Sequence, residues 1–321
     1  MRRLAAVVLT GAFLVTGCSV EDTPSDPLQV AATLYPATPA ASPATTTAPV
    51  GQVLPSGAAS ALAVTGTHLA VALTDPPSVA LYPLAGGDPL TAALPGPVES
   101  LVVDGADVLA PVPGSGVVVT VRPDASTTSQ EVGGAPVDVA RVGGKLVVAR
   151  REAKDLDLGG RTMAGFSSPD RVLAFGDKAI VLDRPRSAVF DVDPAAERPG
   201  AGLRAGEGAT NAVADRYGRV LVVDTRGGEF MAFSSSPLIM RQRYPLPGAP
   251  YGLAYDERTD LAWITLTERN EVVAFDVAGG EPKEVHRYAT VRQPDSVAVD
   301  PETGRVYVAS AGGEGVQVIE P

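Results

Sequence analysis

Two sets of residues in this 321-residue chain carry the groups that chemistry needs. Glu99, Asp138, Asp170, Asn211, Tyr251 and Asp295 each stand at the start of a short apolar strand, and Arg150, Arg151, Lys154, Arg184, Arg186, Arg226 and Arg269 each follow a second apolar strand. An inner ring of carboxylates could hold a cation or a polar ligand, and an outer rim of arginines could clamp carboxylate or phosphate groups through paired N–H donors. The competing reading is that strand ends are wet, so that acids and arginines there solvate the surface or pair with one another. Covalent catalysis has little to use: the one cysteine is Cys18, no Ser-His-Asp arrangement is evident, and the two histidines are misplaced for base catalysis. His68 begins a second strand and His286 falls in an expected outer strand. A net charge of −11 argues against a nucleic-acid partner.

Those residues share a surface only if a repeated element puts them there. Seven times between Ser60 and Ser310 the chain gives a short apolar strand, a tight polar turn, and a second strand richer in β-branched residues. The second strands begin at Leu69, Val108, Leu146, Ala179, Val220, Leu261 and Val306, spaced by 39, 38, 33, 41, 41 and 45 residues. A sheet of that size cannot bury both its faces alone and must stack on copies of itself, which is the logic of a propeller blade. The expected fold is therefore all-β, a seven-bladed β-propeller. Six blades is the alternative, because one interval is only 33 residues and the first copy is degenerate. If first strands descend from a top face, second strands return to it, and both residue sets gather at the mouth of the central channel. Asp104, Asp256 and Asp300 fall at the opposite ends and read as turn formers.

Third strands are expected at Val79 to Tyr82, Val117 to Val121, Ala188 to Val192, Glu229 to Phe233, Val272 to Val277 and Val316 to Ile319. After the last of these only Glu320 and Pro321 remain, so the final blade lacks a fourth strand. The segment Val50 to Leu54 is expected to supply it and close the ring.

Met1-Arg2-Arg3 followed by the apolar run Leu4 to Val15 has the charged head and short apolar middle of an export signal, too short to span a bilayer. Its end, Leu14-Val15-Thr16-Gly17-Cys18, resembles the lipobox of bacterial lipoproteins, which implies that Cys18 receives diacylglycerol and becomes the first residue after cleavage. The chain then divides into a signal peptide at 1–17, a disordered Pro/Ala/Thr-rich tether at 18–49, and the propeller at 50–321. Acyl chains worth about 0.8 kcal/mol per buried methylene would hold the protein at the cell membrane, on its extracytoplasmic face.

The run Asp300-Pro301-Glu302-Thr303-Gly304-Arg305-Val306-Tyr307-Val308-Ala309 resembles the YVTN/NHL-type repeat of bacterial propellers, with the strongest likeness in the last three blades. That resemblance implies a seven-bladed scaffold, in a group whose members bind ligands, dock proteins or hydrolyse lactones. Lactonase-type propellers hold a divalent metal with a Glu, an Asn and an Asp in the channel, and Glu99, Asn211 and Asp295 offer those three types. The motifs that flank them in those enzymes are absent here, and turn chemistry alone selects Asp or Asn at a strand start. The expectation is a lipid-anchored propeller without a cofactor that binds a protein or cell-envelope ligand through its top face. A metal-dependent lactonase or related hydrolase, and a purely structural envelope module, are the alternatives.

Overall fold

The structure is a computed structural model that describes Leu28 and residues 35–321, so the signal peptide and Cys18 lie outside the described residues. Every described strand belongs to one of seven four-stranded antiparallel sheets. Six sheets take four consecutive strands, at residues 59–93, 102–131, 136–164, 169–204, 209–245 and 250–289, here blades 1 to 6. Blade 7 takes three from residues 294–319 and its fourth, outer strand from Gln52–Leu54.

The second strands explain why the sheets stack. Val220, Leu221, Val222 and Val223 in blade 5, and Val306, Val308 and Ala309 in blade 7, are wholly buried, so both faces of each sheet are covered. Alternating polarity is lost there because neither face meets water, and small or β-branched side chains let adjacent sheets approach closely. Among the described residues the buried apolar side chains form seven clusters, one at each junction between neighbouring blades. An open array of seven sheets would have six. The closing junction joins Leu62, Leu69 and Val71 of blade 1 to Tyr307, Ala309 and Val316 of blade 7.

Closure follows the expected route. Gln52, Val53 and Leu54 pair antiparallel with Val318, Gln317 and Val316. Gln317 is fully buried and fixes this pairing from within: its Nε2 donates to the carbonyls of Val50 (2.6 Å) and Ala289 (3.0 Å), and its Oε1 accepts from the Val291 amide (3.1 Å). Gly51 enters the strand at φ +82°, where a Cβ would stand 2.2 Å from the Val318 carbonyl oxygen, so only glycine fits.

The short 33-residue interval reflects trimming, not a missing blade. The two outer strands of blade 3, Asp155–Asp157 and Thr162–Ala164, have three residues each. At the bottom, Asp256 and Asp300 accept hydrogen bonds from their own turns, as expected. Asp104 does not; both its oxygens take Arg141 of blade 3, tying blades 2 and 3 together. The tether expected over 18–49 meets the propeller sooner than its composition suggests. Residues 35–43 have no regular secondary structure, yet their carbonyls accept hydrogen bonds from top-face side chains.

Gln317→Leu keeps the volume but removes the partner of the Val50 carbonyl and of the Val291 amide, while the Ala289 carbonyl keeps its bond from the Val50 amide. Each lost partner costs about 1–3 kcal/mol, so thermal unfolding should begin from the blade 7 junction with Tm lowered by about 4 °C or more. An unchanged Tm would mean that side-to-side packing alone closes the ring.

Candidate functional site

The top face owes its geometry to a repeated defect. In blades 1, 3, 4, 5, 6 and 7 the pairing of first and second strands slips at the start of the first, between Ala59 and Ala61, Pro136 and Asp138, Pro169 and Arg171, Ala209 and Asn211, Pro250 and Leu253, and Pro294 and Ser296. A bulge leaves a residue unpaired and re-aims its side chain. Asp170, Tyr251 and Asp295 lie within these slips, and all three line the mouth. Blade 2 lacks the slip; its first strand is only Val102–Asp104, and Glu99 sits in the connection before it.

Two cavities follow the axis. One of about 340 Å³ in the channel is lined by first strands and includes Glu99, Asp138, Arg171, Asn211, Tyr251 and Asp295. The other, about 430 Å³ at the mouth, shares Glu99, Arg171, Tyr251 and Asp295 and adds Arg151, Asp170 and Arg184. All six strand-start residues named from sequence are therefore brought together.

They do not form an open carboxylate ring, because arginines stand between them. Arg151 donates from Nη1 and Nη2 to both oxygens of Glu99 (2.7 and 2.8 Å), and from Nε and Nη2 to Asp170 Oδ1 (3.0 and 2.8 Å). Arg171 donates from Nη2 to Asn211 Oδ1 (2.9 Å) and places Nη1 3.9 Å from Asp138. Asn211 passes the chain on, donating from Nδ2 to the Tyr251 carbonyl (2.8 Å). Asp170 and Asp138 are buried, and besides the arginines each accepts from a backbone amide, of Arg184 and Val172 respectively. Charge pairing holds the Glu99 carboxyl below its ordinary range, whereas burial pushes the Asp138 carboxyl up despite Arg171. Burial also raises Asp295 to about 6, with one opposing hydrogen bond from Gln293 Nε2 (2.8 Å).

The three residues offered for a metal are thus poorly matched to one. Glu99 is clamped by Arg151, Asn211 Oδ1 carries the Arg171 guanidinium, and only Asp295 is without a cationic partner among the hydrogen bonds of the site. Among the described residues no group of three or more His, Cys, Asp or Glu is placed to hold a metal ion.

The expected outer rim divides. Arg184 reaches the mouth, with Nη1 4.0 Å from Glu99. Arg150 does not; it is clamped on Asp155 of its own blade through two 2.8 Å bonds and on the Val132 carbonyl. Arg186 serves its loop, donating to the Gly165 carbonyl (2.8 Å) and lying over the Phe190 ring. Arg226 bonds the carbonyls of Glu207 and Tyr35, while Arg269 is exposed and packs over Gly248. Lys154 is an exposed turn residue at φ 57°. Pairing with nearby acceptors thus took most of the rim, as the competing reading held. Sequence reading missed Arg171, whose signal was an arginine inside an otherwise apolar first strand. It also missed the loop locks: buried Asp224 accepts from the amides of Glu207, Gly208 and Gly227, and Asp183 accepts from Ser167 and Arg186. Neither histidine is at the mouth. His286 stacks on Trp263 of blade 6 (5.7 Å between centroids), and His68 Nδ1 lies 2.8 Å from Thr67 Oγ1.

This architecture is that of a seven-bladed β-propeller, and solved structures of that kind are similar to it along nearly their whole length. A chain of Kuenenia stuttgartiensis hydrazine synthase is 17% identical with a TM-score of 0.71, covering 86% of this chain and 99% of its own. Staphylococcus aureus virginiamycin B lyase, in a catalytically inactive variant with quinupristin, is 12% identical with a TM-score of 0.70, covering 83% and 97%. A chain of the mitotic checkpoint complex is 13% identical with a TM-score of 0.73, covering 88% and 98%. No family model and no curated protein matches the sequence. At these identities the likeness concerns the fold alone.

Asp295 gives the mouth a pH signature. Its carboxyl is raised in the fold, so the stabilising contribution is complete below the unfolded value near 4 and is lost as pH rises through about 6. Asp295→Asn, neutral at every pH, should match the parent protein near pH 3 and be more stable by about 1–2 kcal/mol near pH 7.5. A Tm difference that is flat across that range would show that Asp295 is not desolvated.

Proposed function

We propose that this protein is a lipid-anchored, extracytoplasmic propeller of the YVTN/NHL type that binds a protein or cell-envelope ligand through its top face and does no chemistry there. The observation that carries this reading is the guanidinium lattice at the mouth. Arg151, Arg171 and Arg184 sit among Glu99, Asp138, Asp170 and Asn211 with defined hydrogen bonds, above a channel wide enough for side chains or a small polar group. Such a surface offers fixed donors and acceptors for specificity. It offers no activated nucleophile: Glu99 and Asp170 are held by arginines, the buried Ser60 hydroxyl that lines both cavities has no hydrogen-bond partner to take its proton, and neither histidine is near to act as a base.

Neighbours in fold point both ways, since they include a lyase, hydrazine synthase and a member of the mitotic checkpoint complex. The lyase is inactivated by replacing a histidine with alanine. This chain's two histidines stand on an outer strand and at the start of a second strand, which favours binding over that chemistry. Anchoring rests on Leu14 to Cys18 and on the export-signal pattern before it.

Two measurements check the reading. Cys18→Ala should move the protein from the membrane to the soluble fraction and change its mature mass by the loss of the lipid; unchanged partition and mass would remove the anchor. Affinity capture from the native envelope should yield a partner that Arg184→Glu no longer retains, with the propeller still unfolding in one cooperative transition. Capture that ignores this charge reversal would place the binding surface elsewhere.

A further inference from the structure

The top face already holds a peptide. Residues Tyr35-Pro36-Ala37-Thr38-Pro39-Ala40-Ala41-Ser42-Pro43 cross it from the blade 4 and 5 loops to those of blades 6 and 7, and Pro36, Thr38 and Pro39 form one wall of the mouth cavity. Four side chains from four blades read the backbone. Arg226 Nη2 donates to the Tyr35 carbonyl (3.2 Å), Arg184 Nη2 to Ala37 (2.6 Å), Gln293 Nε2 to Ala40 (3.0 Å) and Asn270 Nδ2 to Pro43 (3.0 Å). The carbonyls of 37, 40 and 43 recur every third residue, the period of a polyproline II helix, which puts them along one side of an extended chain. Prolines at 36, 39 and 43 remove amide donors, so the segment offers mostly acceptors, and the face supplies mostly donors.

Side chains are selected as well. Ala37 and Ser42 are buried while their neighbours Pro36, Thr38, Ala41 and Pro43 are exposed. Ala37 fits because position 208 is glycine; a Cβ there would stand 2.8 Å from the Ala37 Cβ. Ser42 is held on three sides, donating from Oγ to the Thr267 carbonyl (2.6 Å), accepting at Oγ from the Gln293 amide (3.1 Å), and donating from its own amide to Gln293 Oε1 (3.0 Å). A segment that merely passed by would not bury two side chains and satisfy four carbonyls by side chains far off in sequence.

We infer that the top face is a docking groove for an extended, proline- and alanine-rich peptide, that residues 35–43 fill it in cis, and that a partner protein presents the same kind of segment by displacing them. This rests on the top-face reading above and names its ligand class. Intramolecular occupancy sets a high effective concentration, so the resident segment sets the threshold a partner must exceed. It also spans the mouth, so displacement uncovers Glu99, Arg151, Asp170, Tyr251 and Asp295.

The test uses the full chain with a specific protease site placed in the exposed stretch 44–48, cut after folding and dialysed against a fluorescent peptide of sequence 35–44. Cut protein should take up the peptide and uncut protein should not, by anisotropy. Gln293→Ala, which removes contacts to Ala40 and Ser42, should weaken uptake about tenfold, and Ser42→Ala in the peptide, which removes the Oγ bonds to Thr267 and Gln293, should do likewise on an unaltered propeller. No uptake by cut protein, uptake unaffected by both substitutions, or uncut protein running as a dimer with exchanged segments would each overturn the inference. Its failure is separable from that of the preceding reading. Peptide uptake absent with Arg184-dependent envelope capture retained sinks only the ligand class; capture indifferent to Arg184 with peptide uptake intact sinks the envelope-binding reading.

Discussion

A ring of sheets is stable only if the last is joined to the first, and here that joint is made by three residues from the other end of the propeller chain. Each blade buries its faces against two neighbours, so a break at one junction would expose apolar surface on both sides of it and leave two sheet edges free. Gln317 makes the joint specific. Burying a polar side chain is favourable only when its partners are all in place, and this amide has three: the carbonyls of Val50 and Ala289 and the amide of Val291. The Gln52–Leu54 strand therefore has one register, which fixes where the preceding chain lies and directs it over the mouth.

Ring geometry also fixes the electrostatics. Seven sheets converging on an axis bring strand starts from all around the molecule within reach of one another, and carboxylates so concentrated would repel. Arg151 and Arg171 relieve that repulsion, the first by bridging blades 2 and 4 and the second by linking blades 3, 4 and 5. Ion pairs that are partly buried contribute little net stability but are costly to break on one side, so they specify an arrangement more than they strengthen it. Asp295 stands outside this lattice, desolvated and with Gln293 rather than an arginine as its hydrogen-bond partner.

Legibility in the sequence followed the range of the interactions. Blade count and closure were readable because strand, turn and strand are local, and because the last copy visibly lacked its outer strand. The strands Val117–Val121, Ala188–Val192 and Val316–Ile319 match their expected bounds. Convergence of the six strand-start residues was readable from topology alone. Partner choice was not. Whether Arg150 turns to Asp155 in its own blade or Arg151 to Glu99 two loops away depends on side-chain direction at adjacent positions, which the repeat does not encode. The contacts of residues 35–43 were not readable for a related reason. Proline-rich composition says that a segment makes no hydrogen bonds of its own, but not that arginine, glutamine and asparagine side chains from distant loops will receive its carbonyls.

Site-resolved native-state hydrogen exchange on Val316–Ile319 tests the closed ring most directly, because this strand lies between Val306–Ser310 and Gln52–Leu54 and its amides report on both. The account predicts that all its protected amides exchange only through global unfolding, with the same free energy as Ile180 to Leu182 in blade 4, across the ring. Faster exchange confined to those amides that face Gln52–Leu54, through local opening, would contradict it.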